Sequence, residues 1–233
     1  MKNSQRWSKL YVEELNLDID ITSLKEWVKF VVDNFNPVWQ SQWEATPTSG
    51  SNKQLEGKPD PKPIGDTKYL QNYGGWSVQT QDKSYVQGWQ PAKRYYVGGE
   101  VISKPIIPDI EQIHYTDICN SSIINLLEQI KDLGFQPHRS RLALLMPGFA
   151  LGWHWDQGIC AQNSSVIKIH VPIISNEKNT FQSREKIWNL KEGKAYVMNV
   201  NQEHNARNSS DQLRFHLVMN VIDTKGVTKF LNA

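Results

Sequence analysis

The chain has 233 residues, 39% of them hydrophobic, and a formal net charge of +2. That is enough apolar material for one full core, and all-β folds of this length commonly form one domain, so residues 1–233 are expected to be a single domain. The basic residues are scattered, which excludes the electrostatic footprint of a nucleic-acid or anionic-membrane binder. No apolar run approaches a membrane span, and residues 1–9 lack the apolar stretch of a secretory signal, so a cytoplasmic protein is expected.

Ser23-Leu24-Lys25-Glu26 reads as a capping box that opens a helix with Leu24, Trp27, Val28, Val31 and Phe35 along its core-facing stripe. Residues 37–66 are rich in Gln, Ser, Thr, Gly, Pro and Lys without periodicity. They read as a long loop and, with Tyr73-Gly74-Gly75-Trp76 behind them, as a flap on the substrate side. Arg94-Tyr95-Tyr96 and the Gly98-Gly99 pair are further rim pieces, since glycine permits the turns of a closing loop. A second helix is expected over residues 120–133, where Ile123, Ile124, Leu127 and Ile130 recur at helical spacing and Gly134 is a natural stop. Cys119 and Cys160 are too few to staple the fold and suit a reducing compartment; neither is assigned to a metal. His114 and His138 stand in no motif and read as surface or structural residues.

Strand-like runs begin at Arg141 and continue, separated by turns, to Ile222. In the 166–174 run, Ile167, Ile169, Val171 and Ile173 share one face, and Lys168 and His170 the other. In the last run Phe215, Leu217, Met219 and Val221 oppose Arg214, His216, Val218 and Asn220. Basic and metal-competent side chains on one face of successive strands are what the interior of a small barrel needs to hold a metal and an anion. The predicted fold is mainly β (α+β). Helices, loops and accessory strands over 1–138 buttress a double-stranded β-helix, a jelly-roll of cupin-like type, over 139–223.

The sharpest chemical signal is His154-Trp155-Asp156 followed far downstream by His204. On an extended segment His154 and Asp156 point to one side and Trp153 and Trp155 to the other. Two imidazoles and one carboxylate leave one face of an Fe(II) ion open, and the separation of His204 fits a return strand.

These elements resemble the aspartyl/asparaginyl β-hydroxylase-like family of 2-oxoglutarate- and Fe(II)-dependent oxygenases. In order they are Arg141 to Pro147-Gly148, then His154-Trp155-Asp156, Lys168-Ile169-His170-Val171-Pro172, Trp188 with Gly193 and Tyr196, and His204 with Asn208, Arg214 and His216. The resemblance covers roughly residues 141–223. It implies that His154, Asp156 and His204 bind iron, that Arg214 holds the distal carboxylate of 2-oxoglutarate, and that His170 lines the cosubstrate site. Lys168 stands where the family commonly has Arg, so a bidentate clamp there becomes a point-charge contact. Charge counting agrees. Iron with two neutral His and one Asp carries one positive charge, 2-oxoglutarate two negative ones, and Arg214 balances the remainder in a low-dielectric pocket.

The expected protein is thus a hydroxylase that uses Fe(II), 2-oxoglutarate and O2 on a C–H bond of an amino acid or of an Asp/Asn-like side chain in a peptide. Trp76, Trp155, Arg94 and Arg207 are the candidate substrate contacts, the arginines for a carboxylate. Oligomeric state leaves no mark in the sequence. One alternative is a metal-binding jelly-roll that serves as a ligand-binding or sensor module without catalysis. A zinc hydrolase ranks last, since no His-Glu-x-x-His helix is present.

Overall fold

A computed structural model describes residues 11–39, 72–80, 95–97, 100–102, 113–153, 167–200 and 202–224. Helix α1 spans Ile21–Asn34 and begins before the anticipated box: the Asp20 carboxylate accepts from the Ser23 N–H at 3.1 Å and from its hydroxyl at 2.7 Å. Asp20 is therefore the cap. A carboxylate at the positive end of a helix combines hydrogen bonding with favourable dipole electrostatics. Leu24, Trp27, Val28 and Val31 are buried, and the Trp27 indole N–H donates to the Ile118 carbonyl at 2.6 Å. Helix α2, Ser121–Asp132, is capped by Asn120, whose side chain accepts from the Ile123 N–H. Ile123, Leu126, Leu127 and Ile130 form its buried stripe, with Ile124 half-buried at the margin. Gly134 then takes φ 103°, a left-handed conformation that frees the chain to turn into the next strand.

The described strands are β1 Val12–Leu15, β2 Val38–Trp39, β3 Tyr73–Thr80, β4 Tyr95–Val97, β5 Glu100–Ile102, β6 His114–Tyr115, β7 Phe135–Leu145, β8 Ile167–Ile174, β9 Asn179–Gln182, β10 Ile187–Trp188, β11 Ala195–Asn199, β12 Asn205–Asn208 and β13 Arg214–Asp223. The major sheet runs β1-β11-β8-β13-β7-β3-β2 with β6 also on β3; the minor sheet runs β10-β9-β12, and β4 and β5 pair as a hairpin. All named pairs are antiparallel. This is the jelly-roll, double-stranded β-helix expected from the sequence, in a mainly β fold. Strand β7 starts at Phe135, earlier than the Arg141 onset, and the N-terminal strands β1, β2 and β3 join the same sheet. Residues 40–71 lie outside the described residues, so most of the anticipated flap does too. Tyr73–Trp76 is no lid: it is the first half of β3, paired with β7 from Tyr73↔Leu145 to Trp76↔Leu142.

The two-residue period of the strands sorts the major sheet into two chemistries. One face carries Trp76, Leu142, Leu144, Ile169, Val171, Ile173, Phe215, Leu217 and Met219 and forms the main core with the stripes of α1 and α2. Each fully buried aliphatic side chain there contributes about 1.5–3 kcal/mol. The register carries Tyr73, Arg141, Lys168, His170, Arg214 and His216 on the opposite face. A register shift between Phe215 and His216 leaves Ile173 of β8 as an extra residue opposite β13, where that polar set is densest.

Candidate active site

Strands β8 and β13 bring His170, Arg214 and His216 into one cleft, which Asn179, Thr180 and Phe181 of β9 and Leu190 close from the minor sheet. The rings of His170 and His216 meet edge to face with centroids 6.0 Å apart. Burial holds both imidazoles well below the ordinary histidine range, and neighbouring cations add to it: Lys168, then Arg214 and Arg141, for His170, and Arg214 for His216. Both rings are therefore neutral at physiological pH. Burial also lowers the Arg214 pKa from the ordinary arginine range to about 10. Among the described residues, the Arg214 Nε, the His170 Nδ1 and both ring nitrogens of His216 are enclosed without a hydrogen-bond partner. Such groups cost free energy unless something accepts from or donates to them.

His204 stands just before β12 and is buried. Its Nδ1 lies 2.8 Å from the Gln202 carbonyl. A carbonyl only accepts, so Nδ1 carries the proton and the lone pair sits on Nε2, the tautomer a metal ligand needs. Phe181 lies between His204 and the cleft, 5.1 Å from the His204 ring and 5.9 Å from that of His170. The chain that leads to residue 154 reaches the same place. Ala150 bridges Arg207, the Leu151 N–H donates to the Ala206 carbonyl at 2.9 Å, and the Asn208 N–H donates to the Phe149 carbonyl at 2.8 Å. Gly152 at φ 82° then redirects the backbone. His154 and Asp156 lie outside the described residues, and among the described residues no group of three or more metal-competent side chains forms.

Two expected substrate contacts, Trp76 and Arg207, lie outside the residues that line the cleft. Trp76 belongs to the helix-side core: it stacks on Phe215 with centroids 6.4 Å apart, and its indole N–H donates to the Phe35 carbonyl at 3.1 Å. Strand alternation turns it away from the cleft and turns Tyr73 toward it. Arg207 is exposed on β12, between buried Ala206 and Asn208, so it points to solvent. Trp155 and Arg94 lie outside the described residues. Lys168 is buried on the same sheet face as His170.

Sequence reasoning did not assign Asn179, Thr180, Phe181 and Leu190, which line the cleft, or Arg141 beside it. Arg141 shares its sheet face and donates from Nη2 to the Tyr73 hydroxyl at 3.1 Å. The alternation Arg141, Ala143, Leu145 against Leu142 and Leu144 could have flagged it. Phe181 and Asn179 belong to a short strand with no distinctive local signal.

Residues 115–224 match the family model described as aspartyl/asparaginyl β-hydroxylase. Over that segment, a little under half of the chain, the protein is similar to the aspartyl/asparaginyl β-hydroxylase family. No curated protein matches the chain. Among solved structures it is similar to an oxidoreductase of the 2OG-Fe(II) oxygenase family from Burkholderia pseudomallei, at 10% identity over 91% of this chain and 83% of that one, with a TM-score of 0.49. It is also similar to a viral collagen prolyl hydroxylase from Paramecium bursaria Chlorella virus-1 in complex with 2OG, at 8% identity over 91% and 95% of the chains and a TM-score of 0.45. A Pseudomonas putida prolyl-4-hydroxylase aligns at 9% identity over 91% of each chain with a TM-score of 0.44.

Members of the aspartyl/asparaginyl β-hydroxylase family are 2-oxoglutarate- and Fe(II)-dependent oxygenases. The protein is accordingly a hydroxylase whose cofactors are Fe(II), 2-oxoglutarate and O2. The described residues fit that chemistry. An enclosed guanidinium with an orphaned N–H, beside neutral imidazoles with orphaned nitrogens, suits a carboxylate-bearing ligand. The Nε2 lone pair of His204 suits a first-row divalent metal. No helix of the described residues is long and apolar enough to cross a membrane.

Proposed function

We propose that the protein hydroxylates a C–H bond of a free amino acid or of an Asp/Asn-like side chain in a peptide, acting as one cytoplasmic domain. In this reading His154, Asp156 and His204 hold the iron, and Arg214, with His170 and Lys168, holds 2-oxoglutarate. When bound, the iron and cosubstrate use O2 to convert C–H to C–OH while 2-oxoglutarate is released as succinate and CO2.

The chain's own residues supply placement and charge. Arg214 presents a planar, permanently charged fork to a carboxylate. His170 and His216, kept neutral, offer hydrogen bonds without adding to the positive charge that Arg214 already brings. The Gln202 carbonyl fixes the His204 ring so that its lone pair need not search for the metal. Phe181 spaces the metal side from the anion side and, with Leu190, keeps water from that wall of the cleft. The Asp/Asn-like substrate class rests on the matched family.

The observation that carries the proposal is the buried Arg214 with an orphaned Nε, facing imidazoles that are likewise short of partners. Anaerobic addition of Fe(II) and 2-oxoglutarate tests it. The wild type is expected to develop a weak visible charge-transfer band, absent from His204→Ala and shifted to higher 2-oxoglutarate concentration in Arg214→Lys. An identical band in all three proteins refutes the site assignment.

A further inference from the structure

The β9–β10 turn carries an arginine that touches the chain neighbours of two proposed iron ligands at once. Arg184 forms a two-pronged ion pair with Glu203, Nε to Oε2 at 2.6 Å and Nη2 to Oε1 at 3.0 Å. The same guanidinium lies over the Trp153 ring, its carbon 4.2 Å from the ring centroid. Glu203 immediately precedes His204, and Trp153 immediately precedes His154. These two segments are far apart in sequence, and Arg184 reaches both.

Local structure makes the reach specific. The β12–β9 register pairs Asn205 with Gln182, and two further residues along each chain set Glu203 opposite Arg184. The turn that holds Arg184 is fixed by its own bonds. The Ser183 N–H donates to the Lys186 carbonyl at 2.8 Å, and the Ser183 hydroxyl accepts from the N–H groups of Glu185 and Lys186 at 3.2 and 3.0 Å. On the other side of β12, the Ala150↔Arg207 bridge and the Leu151 bond to Ala206 deliver Trp153. A planar guanidinium can use its edge for a carboxylate and its face for an indole simultaneously, which an ammonium cannot do.

We infer that Arg184 is a positioning residue: it ties the segment leading into His154 to the segment leading into His204 and thereby sets the affinity of the metal site. The inference rests on the ligand set proposed above. The side chains of Arg184 and Glu203 are 61% and 37% exposed, so the pair contributes little to global stability. Its effect is on the spacing of two ligands, in the way outer partners tune metal sites elsewhere.

The test is an anaerobic titration of Mn(II) and of Co(II) into full-length wild type, Arg184→Ala, Arg184→Lys, Glu203→Gln and His204→Ala, followed by electron paramagnetic resonance and visible absorption, with apo melting curves alongside. Removing an outer partner typically lowers metal affinity by about 10–100-fold; for this exposed clamp Arg184→Ala is expected to lose roughly tenfold, at the low end. Arg184→Lys should recover only part of the loss, and Glu203→Gln should lower the affinity in the same direction as Arg184→Ala. The apo melting temperatures of the Arg184 variants should match the wild type. Wild-type affinity in Arg184→Ala, or an affinity loss matched by a loss of apo stability, overturns the clamp alone. Equal binding by wild type and His204→Ala overturns the ligand assignment and the clamp with it.

Discussion

Arg214→Met separates the cost of the cosubstrate anchor from its use. The Arg214 charge is fully enclosed, and burial brings its pKa from the ordinary arginine range down to about 10. At about 1.4 kcal/mol per pKa unit, this corresponds to about 3 kcal/mol of unfavourable environment for the charge when no anion is present. Methionine has similar reach and no charge, so the apo variant is expected to gain up to about 3 kcal/mol, less whatever imperfect packing returns. For a chain of this length each kcal/mol moves the melting temperature by about 2–4 °C. The apo variant should therefore melt above the wild type. With saturating 2-oxoglutarate the order should reverse, because ligand that binds only the folded state adds RT ln(1 + [L]/Kd) and the variant has lost the fork. Arg214→Lys keeps the charge and loses the geometry; a charged hydrogen bond is worth about 1.5–3 kcal/mol, or roughly 10–150-fold in affinity. Differential scanning fluorimetry with and without 2-oxoglutarate, read beside isothermal titration, covers both variants. An Arg214→Met protein less stable than wild type, yet stabilised by 2-oxoglutarate to the same extent, would refute the reasoning.

His138 on β7 is buried, and burial, followed by the neighbouring Arg139, brings its pKa from 6.5 to about 4. The folded state thus keeps it neutral while the unfolded chain protonates it. Stability is full above pH 6.5 and is lost as pH falls from 6.5 through 4, by about 3 kcal/mol for this group. Urea unfolding across that window should show a shallower loss in His138→Leu than in wild type, and equal slopes would remove His138 as a cause. Trp76→Ala should cost about 3–5 kcal/mol because it empties a core position, and the folded remainder should keep the wild-type KM; a raised KM at unchanged stability would return Trp76 to the substrate site.

The parts of the fold legible in the sequence were those whose signal is local. The alternation in β8 and β13 assigned Lys168, His170, Arg214 and His216 to one face because a strand repeats every two residues. The stripes of α1 and α2 emerged from helical spacing in the same way. Long-range pairing left no such mark: nothing near Val12 announces that β1 pairs with β11 through Val12↔Met198. The start of β7 was masked by Pro137, which reads as a breaker but sits by a register shift where the ladder tolerates it. That Trp76 packs in the helix-side core had no local signature, because rim aromatics and core aromatics look alike until the register is known. The His204 tautomer depends on the Gln202 carbonyl, a backbone group without a sequence signature. The Arg184 clamp depends on strand order.

The central claim is that this chain couples 2-oxoglutarate turnover to hydroxylation of an amino acid or amino-acid side chain, and mass spectrometry of product and succinate together tests it most directly. Incubated aerobically with Fe(II), 2-oxoglutarate and a panel of free amino acids and Asp- or Asn-containing peptides, the wild type should yield a product heavier by one oxygen atom. Succinate should form in equal amount, and His204→Ala should form neither. Succinate production that survives His204→Ala, or an oxygenated product formed without 2-oxoglutarate, would contradict the account.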